Sequence, residues 1–128
     1  LILSMIDINL AKDLEAEAMD IGLDVLIETH NKEEMDNALT MKSELVGVNN
    51  RNLNDFTVNI DNTISLTGDS VGNKIYVSES GIKSRSDINY IIDKSPARTF
   101  LVGESLMRSE KLEEQIRTLL SYWLTELN

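Results

Sequence analysis

The chain has no cysteine, which excludes a disulfide framework and any metal or cluster held by thiolates, and accords with a reducing, cytoplasmic setting. A single histidine, His30, further weakens any case for a bound metal. Basic residues are scarce. Twelve lysines and arginines face 22 acidic residues, for a formal charge of -10, and no basic cluster exists to follow a phosphate backbone, so nucleic acid is not an expected partner. Long hydrophobic runs are missing too. The opening LILSMIDINL meets Asp7 at once, has no basic leader and is too short to span a bilayer, so neither membrane nor targeting segment is expected. Proline occurs once, at Pro96, and no low-complexity stretch or break in composition divides the chain. One domain, or part of one, is the reading.

Enough remains to build a core. The 128 residues are 41% hydrophobic and 27% charged, near globular averages. Short apolar runs recur at LILSMI (1–6), DVLIET (24–29), LVGVN (45–49), KIYVSES (74–80) and TFLVG (99–103), the spacing of strand–helix units. Helical patterns lie between them. Residues 9–21 place Leu10, Leu14, Ala18 and Ile21 on one face, with Gly22 as the stop. Asn31 with Glu34, and Ser84 with Asp87, have the spacing of capping boxes ahead of KEEMDNALTMK and INYIID. GESLMRS (103–109) reads as a short helical turn. A last helix over 110–126 aligns Leu112, Ile116, Leu119, Leu120 and Trp123, a stripe expected to pack into the core.

Alternating strands and helices imply parallel strands with right-handed crossovers. Two architectures use them, the open doubly wound sheet and the closed eight-stranded barrel, and in both the ligand binds at the carboxyl ends of the strands. Those ends are polar here. Strand two finishes in Glu28, Thr29 and His30, strand three in Asn49, Asn50 and Arg51, strand four in Glu79, Ser80 and Gly81, and strand five in Gly103, Glu104 and Ser105. Because side chains alternate, Glu28 and His30 share a face, as do Asn49 and Arg51, and Glu79 follows Val77 on its own strand. Taken singly, Glu28 reads as a solvated strand end and His30 as a loop or structural group. Arg51 is expected to pair with Glu28 or Glu79, and its fork of donors also suits a substrate carboxylate. Glycines just past the last two strands, in SESG (78–81) and GESL (103–106), allow backbone N–H groups to approach an anion.

In this order and spacing, LIETH, LVGVNNRNL, VSESGI and LVGESLMR resemble the later strands of indole-3-glycerol phosphate synthase, a (βα)8 TIM barrel of tryptophan biosynthesis. The resemblance implies an α/β fold in which this chain is the carboxyl-terminal part of one phosphate-binding barrel, about five parallel strands, four to eight. It implies a lyase acting on a phosphorylated small molecule, closing the indole ring with loss of carbon dioxide and water, without cofactor or metal. By similarity Glu28 is an acid/base candidate and Asn49 orients the substrate. Arg51 lies near the anthranilate carboxylate, Glu79 and Ser80 line the mouth, and Gly81, Leu101, Gly103 and Glu104 bind substrate, the glycine loops at its phosphate. The family's catalytic lysines come from the first and third strands, which nothing here matches. Lys32, Lys42, Lys74 and Lys83 are expected in helices, strand starts or loops. The 128 residues alone are therefore expected to be inactive and to need an amino-terminal barrel segment as partner, since five strands cannot close an eight-stranded barrel. Two other readings stand beside this one: a noncatalytic half barrel that binds phosphate, and another phosphate-binding barrel such as phosphoribosylanthranilate isomerase, against which NNRNL and Glu28 both speak.

Overall fold

Four of the five apolar runs become strands of one parallel sheet in the computed structural model, which describes residues 1–68 and 72–125. The strands are β1 (Leu26–Thr29), β2 (Leu45–Asn49), β3 (Ile75–Glu79) and β4 (Thr99–Leu101), and they lie side by side in chain order. The helices are α1 (Ile8–Asp20), α2 (Lys32–Leu39), α3 (Asp61–Thr67), α4 (Arg85–Lys94), the short α5 (Glu104–Met107) and α6 (Leu112–Thr125). A sheet whose neighbours are consecutive and parallel is one arc of a barrel wall, with a helix in each crossover.

The first run departs from expectation. Ile2 makes only an isolated parallel bridge to Glu28, after which residues Leu3–Met5 wind into a 3-10 turn. Asp7 then caps α1 by accepting hydrogen bonds from the backbone N–H groups of Asn9 and Leu10. Capping works as read at two other helices. Asn31 accepts from Glu34 N at the start of α2, and Ser84 with Asp87 forms a complete capping box on α4.

Side chains from one surface of the sheet and from its crossovers form the core. Ile27, Met35, Val46, Val48 and Ile91 are fully buried, and Leu3, Leu66, Ile82, Ile88 and Leu119 join them. Burying such a side chain contributes about 1.5–3 kcal/mol each. Two of the expected helix faces lie elsewhere. On α1 the buried residues are Ala11 and Glu15, and of the expected face only Ala18 packs against the core, while Leu10 and Leu14 are 44% and 41% exposed and Ile21 is also exposed. On α6 only Leu119 of the expected stripe is buried; Leu112, Ile116 and Leu120 are exposed, and Trp123 lies outside the described side chains.

Glu15 has a specific reason to be inside. Its carboxylate accepts hydrogen bonds from the backbone N–H groups of Lys42 (3.1 Å) and Ser43 (2.6 Å), closing the loop that enters β2. Lys74 closes the same corner from the other side, donating to the carbonyls of Met41 at 2.9 Å and Ser43 at 2.6 Å. The Ser43 hydroxyl donates to the Val25 carbonyl. This corner lies at the amino ends of the strands, away from their polar tips, where barrels place stability and not chemistry.

Candidate active site

Register brings the polar tips together. In the β1–β2 ladder Glu28 is opposite Gly47, and in the β2–β3 ladder Gly47 is opposite Val77 and Asn49 opposite Glu79. Glu28, Gly47, Asn49 and Glu79 therefore meet on one surface at the carboxyl end of the sheet. Asn49 Nδ2 donates to Glu28 Oε1 at 2.8 Å. The Glu79 side chain occupies the space above Gly47: a Cβ built there would lie 1.7 Å from Glu79 Oε1. Only glycine leaves that space open. Glu79 is 5% exposed, and its carboxyl is pushed up to about 7, first by burial, then by the charge of Glu28 and contact with that carboxyl. Below about pH 7 the Glu79 carboxyl therefore keeps its proton.

Arg51 does not join them as expected. The chain leaves the strand after Asn49 and pairs Arg51 with Val58 in an antiparallel bridge. Its guanidinium reaches Glu104 Oε2 at 2.5 Å and the Phe56 carbonyl at 3.4 Å, so its carboxylate partner is Glu104 and neither Glu28 nor Glu79. Glu104 also meets Arg108 at 3.1 Å. Beside this cluster lies a cleft of about 650 Å³ lined by Arg51, Ser80, Gly81, Leu101, Gly103 and Glu104, with Lys83 and Arg108 at its border. The loops on its two sides are joined by the Ser105 hydroxyl, which donates to the Ile82 carbonyl at 3.0 Å. Ser80 has φ 66 and Gly81 φ 79, so a serine is held in the left-handed region next to a glycine. Such backbone costs on the order of 1 kcal/mol or more for a residue with a Cβ. The turn is cramped besides, since a Cβ on Gly81 would lie 2.4 Å from Val58 Cγ1.

The family model described as indole-3-glycerol phosphate synthase matches residues 1–119. The chain belongs to the indole-3-glycerol phosphate synthase family. It is 46% identical over 109 residues to the indole-3-glycerol phosphate synthase of Polynucleobacter necessarius subsp. necessarius (strain STIR1), covering 85% of this chain and 40% of that protein. With the synthase of Burkholderia cenocepacia (strain HI2424) it shares 43% identity over 116 residues, 91% of this chain and 44% of that protein. The chain thus spans about two fifths of the length of these curated relatives, and its four parallel strands are part of a TIM barrel. A solved structure, the Amycolatopsis orientalis BexX/CysO complex, matches with a TM-score of 0.60 at 20% identity over 90% of this chain and 49% of that chain, a likeness of fold alone.

The sequence assigned no role to several residues that hold this rim together. Asn50, one position from Asn49, faces the opposite way and is buried. Its side-chain amide donates to Ser78 Oγ at 3.0 Å and to the Ser80 carbonyl at 3.1 Å, while its oxygen accepts from Thr63 N and Oγ1. This single amide ties β2, β3 and the strained Ser80 turn to α3. Asn62 adds a second tie, donating to the carbonyls of His30 (3.2 Å) and Asn49 (3.1 Å). The doubled asparagine was the available signal: alternation sends one to each face, so both need partners. Of the four lysines named from sequence, Lys74 closes the corner described above, Lys32 opens α2 and pairs with Asp36, and Lys42 and Lys83 are exposed. Among the described residues no group of three or more His, Asp or Glu side chains gathers as metal ligands, and no helix is long and apolar enough to cross a membrane.

Proposed function

We propose that in the full-length protein this rim takes part in closing the indole ring of 1-(2-carboxyphenylamino)-1-deoxyribulose 5-phosphate, with loss of carbon dioxide and water, in the cytoplasm. The observation that carries the reading is the Glu28–Asn49–Glu79 cluster, in which one carboxyl is held near neutrality beside a second. Carboxyls whose environments differ in this way divide acid and base work between them. Glu28 serves as acid/base group, Asn49 orients it and the substrate, and Glu79 with Ser80 shapes the mouth. Arg51 meets the substrate carboxylate by opening its pair with Glu104. Gly81, Leu101, Gly103 and Glu104 border the cleft for the phosphate, which the positive charges of Arg51, Lys83 and Arg108 favour. The lysine acid that the departing hydroxyl needs comes from outside these 128 residues.

Ring closure is measured from the fluorescence of the indole product with full-length protein. Glu28→Gln is expected to lower kcat by about 10² to 10⁴. Phosphate binding without ring closure by the wild type would move the assignment to a noncatalytic phosphate-binding barrel.

A further inference from the structure

The imidazole of His30 stands between two carboxylates. Nδ1 lies 3.2 Å from Glu34 Oε2, and Nε2 lies 3.2 Å from Glu28 Oε1. Glu34 is fixed as an acceptor: Oε2 takes the backbone N–H of His30 at 2.7 Å and Oε1 takes Asn31 Nδ2 at 2.8 Å. It also lies in the first turn of α2, where the helix dipole favours a negative charge. The proton on Nδ1 therefore points to Glu34. Nε2 is the remaining nitrogen. It is buried with no aligned hydrogen-bond partner, and Glu28 Oε1, the atom it faces, already accepts from Asn49 Nδ2. With its proton on Nδ1, the neutral ring therefore presents the Nε2 lone pair to Glu28, 3.2 Å from Oε1. Other charged groups around the ring are Glu79, beyond Glu28 on β3, and Arg51 and Asp61, which border the same cleft as His30.

The geometry points to His30 as a positioning residue that, oriented by Glu34, holds Glu28 in place and relieves it of the proton it gains in each turnover. This rests on the acid/base role proposed above for Glu28. When Glu28 has taken a proton, its O–H bond breaks as an N–H bond forms at Nε2. Glu28 returns to carboxylate, and the ring becomes an imidazolium held between two carboxylates. Transfer of that proton to water or a buffer base restores the neutral ring, so charge and protons balance over the cycle. The order carboxylate, imidazole, acting group is that of triads in which the outer carboxylate sets the tautomer and stabilises the imidazolium.

The test uses full-length protein, with steady-state kinetics from about pH 5 to about pH 9, the range in which histidine and raised carboxyls titrate. Glu34→Gln and His30→Gln are expected to lower kcat about 10- to 100-fold, the effect of a slightly misplaced group, with KM little changed. Glu34→Gln should also move a limb of the kcat profile. Folded variants that keep the wild-type kcat and pH profile would overturn the inference and leave the proposed reaction standing. A wild type without ring closure would overturn the proposed reaction and the role given to His30 together. Should the variants fail to fold, long-range nitrogen NMR of the wild-type His30 ring decides: a proton on Nδ1 throughout supports the arrangement, and a bare Nδ1 refutes it.

Discussion

At the scale of single residues, Glu79 makes the rim sensitive to pH. Its carboxyl titrates near 7 in the folded chain against an ordinary value of 4.5. Between those values the folded state keeps a proton that the unfolded state has released, so stability from this group is complete below the lower value and is lost as pH rises through the upper one. Urea midpoints of the wild type should fall between about pH 5 and about pH 8, and Glu79→Gln, which cannot ionise, should flatten that part of the fall. A glutamine variant with the wild-type slope would place the titration in another group. Gly47 acts through the same carboxyl. Gly47→Ala puts a methyl where Glu79 Oε1 now lies, and because that oxygen ends a flexible side chain, the fold should survive while the carboxyl moves. A loss of activity of about 100-fold with a nearly unchanged melting temperature is the expected result. Full activity would show that the position of Glu79 is not critical.

At the scale of elements, what could be read in advance was what alternation and capping fix locally. Four of the five strands and the caps at Asn31 and Ser84 follow from residues close in sequence, and the shared face of Glu28, Asn49 and Glu79 follows from alternation within each strand. What could not be read depends on distant partners. Helix α3, DNTISLT, is short and rich in β-branched residues, a poor helix by propensity. It is held by Thr63, whose hydroxyl bonds Asn50 and Ser78. Arg51 was misassigned because the chain turns away after β2 and brings it to Glu104, 53 residues further on at the start of α5. Helix α1 was misassigned because its inward face is set by Glu15 and the N–H groups of residues 42 and 43. Glu15→Ala strands both donors, of which the Ser43 N–H is buried, and should cost about 1–3 kcal/mol, read as a lower urea midpoint. A change under about 0.5 kcal/mol, the usual range for surface substitutions, would mean that water replaces the carboxylate.

At the scale of the molecule, several of the apolar residues left outside lie on helices α1 and α6 and at the ends of β3 and β4, with Leu10, Leu14, Ile75, Leu101, Leu112 and Leu120 all exposed. Parallel sheets are ordinarily covered on both faces and closed at their edges. The 128-residue chain on its own should therefore self-associate, seen in sedimentation velocity as a mass that grows with concentration. Adding the amino-terminal portion of a family relative should disperse the associates and produce ring closure, and Glu28→Gln in the mixture should remove most of it. Appreciable turnover by the 128 residues alone would show that the essential acid lies among them. Assembly of the sheet also depends on Asn49, Asn50 and Arg51 in a way their separate contacts do not express. A slip of β2 by one residue would set Asn50 in the place of Asn49, an exchange of like for like that leaves the Glu28 contact intact. The same slip would press Arg51 into the sealed pocket that Asn50 fills among Ser78, Thr63 and the Ser80 carbonyl. An unpaired guanidinium there costs several kcal/mol. Arg51 thus adds a second proofreading mark to that of Gly47, since the same slip would also set Val48 where only glycine leaves room for Glu79.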